Sequence, residues 1–100
     1  MEINVLKNNE ETVVAVNGRV DTVTAPELEL GIAGLLEEKG IVLVLNCEKM
    51  EYISSSGLRV VLGTHKKVVA AGGKFIVEGL SKEVKSVFDI TGFSRILNIR

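Results

Sequence analysis

Ile41-Val42-Leu43-Val44-Leu45, followed by Tyr52-Ile53-Ser54-Ser55-Ser56-Gly57-Leu58-Arg59, decides the fold. The first run is apolar without alternation, which suits a strand covered on both faces, as in a parallel sheet packed by helices. From near Ser56 the spacing becomes helical: Leu58, Val61, Leu62, Val68 and Val69 form one stripe, while Lys66-Lys67 face solvent. A buried strand thus feeds a helix across three hydroxyls and a glycine. Hydroxyls at a helix N-terminus sit beside unpaired N–H groups and the positive end of the helix dipole. An anion such as a phosphate is stabilised there. Serine is also a preferred N-cap, and the motif alone reads as capping.

On the N-terminal side, Ile3, Val5 and Thr12 to Val16 read as two short strands, joined by the turn Lys7-Asn8-Asn9-Glu10. Asn17-Gly18-Arg19-Val20-Asp21 then leaves the second strand. Thr24 is expected to cap a helix, with Glu27 completing a capping box and Pro26 in the first turn. Leu28, Ile32, Leu35 and Leu36 share a face of that helix, and Lys39-Gly40 closes it. On the C-terminal side, Ala71-Gly72-Gly73 ends the serine-led helix and Lys74 to Val77 forms the next strand. Ser81 caps a third helix with Val84, Val87, Phe88 and Ile90 inward; Gly92 ends it, and Ile96 to Ile99 is a last strand.

The order β-β-α-β-α-β-α-β predicts an α/β fold: a mixed sheet of about five strands, the later ones parallel and joined by right-handed crossovers. Partners of such sheets meet the loops beyond the C-terminal strand ends. Arg19, Asp21 and Thr22 follow the second strand, and Ser54, Ser55 and Ser56 follow the third. Neighbouring strands would bring Asp21 and the serines to one edge. Gly63, mid-helix, is either tolerated at about 1 kcal/mol against alanine or permits a close neighbour.

One hundred residues, 46% hydrophobic and 25% charged, fit one domain spanning 1–100. A formal charge of −1 and 4% aromatic residues give no footprint for nucleic acid. No apolar run approaches the roughly 20 residues of a membrane span. The start, Met1-Glu2-Ile3-Asn4, lacks signal-peptide character, so a cytoplasmic location is expected. Cys47 is the only cysteine and His65 the only histidine. Cys47 is expected to pack, and His65 to sit half-buried or at a surface edge. Neither a disulfide, a zinc site nor a triad is expected. No cofactor is expected, and the balanced charge favours a monomer.

Three segments together resemble one family. Gly18-Arg19-Val20-Asp21-Thr22-Val23-Thr24-Ala25-Pro26-Glu27-Leu28 resembles the Gly-x-hydrophobic-Asp…Ala-Pro-x-Leu segment of bacterial anti-sigma factor antagonists. Glu51 to Arg59 resembles their phosphorylation loop, and Thr91-Gly92-Phe93-Ser94-Arg95-Ile96-Leu97 the stretch before their last strand. The chain is therefore similar, end to end, to a STAS domain.

The resemblance implies a non-enzymatic partner switch. The antagonist would bind an anti-sigma factor that is also a serine kinase with a histidine-kinase-like ATP fold, freeing a sigma factor. Phosphorylation of a loop serine would end the complex, and a serine phosphatase would restore it. Alignment on Ser-Gly-Leu puts the acceptor at Ser55. Many members carry Asp directly before it, where this chain has Ser54, so Ser54 is the second choice. Ser56, closest to the helix and expected as its cap, is the third. Asp21, Thr22, Ser54, Ser56, Gly57 and Arg59 would meet the partner. Two other readings stand beside this: a STAS module that binds a small ligand or scaffolds a complex without phosphorylation, and, far behind, a serine-nucleophile enzyme. Against the latter, no Gly-x-Ser-x-Gly elbow exists.

Overall fold

A computed structural model describes residues 1–100. Its elements are β1 (Glu2–Lys7), β2 (Thr12–Val20), α1 (Ala25–Ala33) with a 3₁₀ turn (Gly34–Glu37), β3 (Val42–Ile53), α2 (Ser55–Ala70), β4 (Lys74–Glu78), α3 (Lys82–Ile90), α4 (Phe93–Ile96) and β5 (Asn98–Ile99). The sheet runs β1-β2-β3-β4-β5, antiparallel at β1–β2 and parallel from β2 onward. The expected mixed five-stranded α/β architecture is present.

The strand order explains where the core lies. Strands are added in one direction, and crossovers of constant hand then put every helix on the same face. Val14, Val16, Leu43, Leu45, Cys47, Phe75 and Val77 accordingly join one buried cluster with Leu28 and Ile32 of α1, Leu58, Val61 and Val68 of α2, and Val84 and Phe88 of α3. Each such buried aliphatic or aromatic side chain contributes about 1.5–3 kcal/mol. Val44 and Ile76 alternate to the opposite face and lie outside this cluster, although both are buried. The expectation that β3 has helices on both faces is therefore corrected: a sheet without reversal of strand order has only one helical layer.

On the helix-free face, Arg100 ties the turn before β2 to the end of β4 across the central strand. Its guanidinium meets Glu11 at 2.8 Å and Glu78 at 2.6 Å. The Arg100 hydrogen bond holds the Glu11 carboxyl below its ordinary value of 4.5. A lowered carboxyl stabilises the fold above its unfolded pKa, and the contribution disappears as pH falls through the folded value. Arg100→Met should therefore flatten the loss of stability below about pH 4.5. Urea unfolding of both proteins between pH 3 and 6 would check this; parallel curves would contradict it.

Both central strands are longer than expected. β2 continues to Val20 and β3 to Ile53, because the ladder between them is irregular twice. Each time β3 holds the extra residue: Ala15 and Asn17 pair with Asn46 and Lys49, then Gly18 and Arg19 with Met50 and Tyr52. Gly18, at φ 104°, stands on β2 at the second irregularity, a backbone conformation that glycine adopts without strain.

Helix faces are mostly as read. Ser81 caps α3, its Oγ accepting from the Val84 N–H at 3.2 Å. Ile90, expected inside, is 82% exposed. Val69 is also exposed and Leu62 half-buried; Thr64 fills that part of the stripe, its hydroxyl satisfied by the Val60 carbonyl at 2.8 Å. Ile96 belongs to α4, not to the last strand, because Gly92 at φ 82° starts a further helical turn. Nothing lies within 4 Å of a Cβ placed on Gly63, so no neighbour requires the glycine. Gly63→Ala should stabilise the protein by about 1 kcal/mol, from helix propensity. Thermal unfolding should show a rise of roughly 4–8 °C, and a fall would contradict the open surroundings.

Candidate functional site

β2 and β3 end side by side. Val20 and Ile53 are register partners, and the Ser54 N–H donates to the Val20 carbonyl at 2.8 Å. Asp21 and Ser54 therefore leave neighbouring strands at one edge of the domain.

Ser54 alone separates β3 from α2, so the serines lie on the helix's first turn rather than in a loop. Ser54 has extended backbone, φ −90° and ψ 174°, and its Oγ accepts from the Gly57 N–H at 3.2 Å. Ser54 is thus the cap, not Ser56, because the helix begins one residue earlier than its composition implies. Ser55 is exposed, while Ser54 and Ser56 are half-buried. The Gly57 and Leu58 N–H groups are taken by the Ser54 side chain and carbonyl. The Ser55 and Ser56 N–H groups remain for an anion at the positive end of the helix. Arg59 is exposed four residues after Ser55, on the same helical face.

The cap is separable from the acceptor. Ser54→Ala should lower stability by about 1 kcal/mol through loss of the cap. It should leave Ser55 a substrate for phosphorylation. Denaturant unfolding and intact mass would check both halves; loss of phosphorylation in a folded Ser54→Ala protein would shift the acceptor.

Gly57, expected at the partner surface, is buried against the sheet. A Cβ there would lie 2.7 Å from both Ile53 Cγ1 and Val20 Cγ1. It sets the distance between helix and strands, so it shapes the surface without presenting a side chain.

Asp21 begins the next segment. Its Oδ1 accepts from the Val23 and Thr24 N–H groups, each at 3.0 Å. The Thr24 backbone hydrogen bond is the main cause that lowers the Asp21 carboxyl below its ordinary 3.8; the Thr24 hydroxyl, the Val23 N–H and the Arg19 charge add to it. The edge consequently carries an ionised carboxylate at neutral pH. Thr24 does not cap α1 with its side chain, as the capping box required: its hydroxyl accepts from the Asp21 N–H and donates to the Arg19 carbonyl at 2.8 Å. Asp21 instead holds the turn that leads into α1, through its Oδ1 and through its carbonyl, which accepts from the Ala25 N–H at 2.8 Å.

Thr22 and Pro26 on one side and Ser56 and Arg59 on the other line a shallow groove of about 250 Å³. The turn into α1 and the first turn of α2 thus share one surface containing Thr22, Ser56 and Arg59, and Asp21, Ser54 and Ser55 are their chain neighbours at the same sheet edge. One pair escaped the sequence reading. Arg19 and Tyr52 face each other across the bulged ladder, and the guanidinium carbon lies 4.3 Å from the ring centroid. Only the register, shifted by the bulges, brings them together.

The remaining reactive groups lie elsewhere. Cys47 is fully buried, and desolvation, aided by the Glu78 charge, pushes its thiol up to about 12. It is an inert packing residue. His65 is half-buried mid-helix with its ring 6.3 Å from that of Phe75. No helix is long and apolar enough to cross a membrane.

Comparison with known proteins gives the family. The STAS domain model matches residues 2–100. The anti-sigma-B factor antagonist of Bacillus subtilis is 38% identical over 101 residues, covering 99% of this chain and 92% of that one. An anti-sigma factor antagonist from Mycobacterium paratuberculosis superposes with a TM-score of 0.88 at 26% identity, covering 98% of this chain and 83% of that one. The Bacillus cell fate determinant SpoIIAA in its phosphorylated form has the same fold, with a TM-score of 0.75 at 20% identity over 99% and 91% of the two chains. With a matched model over nearly its whole length and a close full-length relative, the chain belongs to the STAS domain family, among the bacterial anti-sigma factor antagonists.

Proposed function

We propose that this protein is a cytoplasmic partner-switching antagonist: unphosphorylated, it binds an anti-sigma factor with serine kinase activity, and phosphorylation of Ser55 ends the complex. The observation that carries this is the division of labour among the serines. Ser54 is committed to the cap, whereas Ser55 is exposed on the first turn with two free N–H groups beside it.

The protein is the substrate in this scheme. The kinase, with its histidine-kinase-like ATP fold, supplies nucleotide, metal and base. The Ser55 Oγ attacks the γ-phosphorus of ATP, its proton passes to the kinase's base, and ADP leaves. A serine phosphatase hydrolyses the phosphoserine to serine and phosphate. The phosphate adds roughly −1.5 to −2 charge at pH 7. In the free protein the helix N–H groups and Arg59 offset that charge, so the fold persists. In the complex it would face the nucleotide's own phosphates, next to the ionised Asp21.

Titration calorimetry of the unphosphorylated chain with the anti-sigma factor encoded in the same genome, in Mg–ADP, tests the binding half. Saturable one-to-one binding is expected. No binding by a nucleotide-loaded, active anti-sigma factor would contradict the reading.

A further inference from the structure

The Arg19–Tyr52 pair extends the switch surface onto the helix-free face of the sheet. Val20 and Ile53 point into the core, so the preceding partners Arg19 and Tyr52 point the other way. They stand one register step from the edge that carries Asp21 and Ser54. Tyr52 is 40% exposed and Arg19 is exposed, in contact distance of one another.

The guanidinium has no acceptor within the chain. None of the ion pairs includes it. Asp21 feels the Arg19 charge, but the two do not form an ion pair, and the Asp21 Oδ1 accepts from the Val23 and Thr24 N–H groups. Stacking on an aromatic face orients an arginine and reduces the rotamer freedom lost on binding, while its N–H fork stays open to a planar acceptor. Arginine and tyrosine are also the residue types on which interface energy concentrates. A pre-oriented cation without an ion-pair partner, at the edge of a surface that otherwise carries a carboxylate and a phosphorylatable serine, is complementary to an acidic group on a protein that covers this edge.

We propose that Arg19, held by Tyr52, is a specificity anchor that pairs with a carboxylate of the anti-sigma factor. This rests on the reading of the chain as an anti-sigma factor antagonist. The contact is distinct from the phosphoserine and is made by the unphosphorylated state, so it selects the partner rather than operating the switch.

The test is titration calorimetry with the anti-sigma factor encoded in the same genome, using wild type, Arg19→Glu, Arg19→Lys, Tyr52→Ala, Tyr52→Phe and the Arg19→Glu/Tyr52→Ala double variant. Circular dichroism and thermal unfolding establish that each is folded. Arg19→Glu should weaken binding about 30-fold or more, as expected for an interface anchor. Arg19→Lys and Tyr52→Ala should each weaken it about tenfold, since charge without stacking, or stacking partner without ring, is half the device. Tyr52→Phe keeps the ring and should bind like wild type. The double variant should lose much less than the product of the single losses. Binding of Arg19→Glu within about twofold of a wild type that does bind overturns the anchor and leaves the antagonist reading intact. A wild type that fails to bind an active anti-sigma factor overturns both.

Discussion

Phosphorylation of Ser55, or Ser55→Glu as a weaker mimic, is expected to reduce affinity for the anti-sigma factor by about 100-fold or more, close to 3 kcal/mol. The estimate follows from charge at a closed interface. A complete reversal from 1:99 to 99:1 needs about 5.5 kcal/mol of differential affinity. Leaving one buried charge unpaired costs about 3–5 kcal/mol. A phosphoserine on the first turn of α2 would be such a charge, facing a nucleotide and flanked by Asp21, whose carboxyl its own turn keeps ionised. The two free N–H groups and Arg59 make the same phosphate tolerable in the unbound protein. Melting temperatures of the phosphorylated and unphosphorylated forms should therefore differ little while their affinities differ greatly. Calorimetric titration of both forms checks this; equal affinity would mean that the first turn of α2 lies outside the interface.

The second large effect is steric. Gly57→Val should destabilise the protein by about 2–3 kcal/mol, the usual cost of overpacking a filled site. Even a Cβ at this position approaches Ile53 Cγ1 and Val20 Cγ1 to 2.7 Å. Those atoms lie close to the backbone of two central strands and cannot yield without moving them. Melting should fall by roughly 10–20 °C. The function should suffer too. Lifting the helix from the strands breaks the Ser54 Oγ contact to the residue 57 N–H, and with it the placement of Ser55. Slower phosphorylation is then expected even at temperatures where the variant is folded. Wild-type melting would show that close helix–strand approach is not what the glycine provides. Gly63→Ala, in the same helix but open to solvent, is the opposite-signed control.

Element order, parallel pairing and the juxtaposition of Asp21 with the serines were legible because they depend on hydrophobic period and crossover topology. Strand lengths were not. Leu45 and Cys47 keep the two-residue alternation, but Met50 and Ile53 follow at steps of three, since β3 holds the extra residue at each bulge. Asn17-Gly18 has turn composition yet lies inside β2, where Gly18, with positive φ, stands opposite the bulged part of β3. For the same reason the serines read as a loop, although β3 runs straight into the cap. The choice of Ser54 over Ser56 as cap depends on which residue is the first with helical backbone, and three consecutive serines cannot distinguish that by type. The Arg19–Tyr52 stack needed the shifted register. Helices on one face only follow from monotonic strand order, which no local pattern in β3 encodes.

The central claim is that Ser55 is the phosphoryl acceptor. Its most direct test is the intact mass of wild type and Ser55→Ala after incubation with ATP and the anti-sigma kinase encoded in the same genome, that kinase being active on a second substrate. One added phosphate on the wild type and none on the variant is the predicted result. A phosphate on both, or on neither, would contradict it.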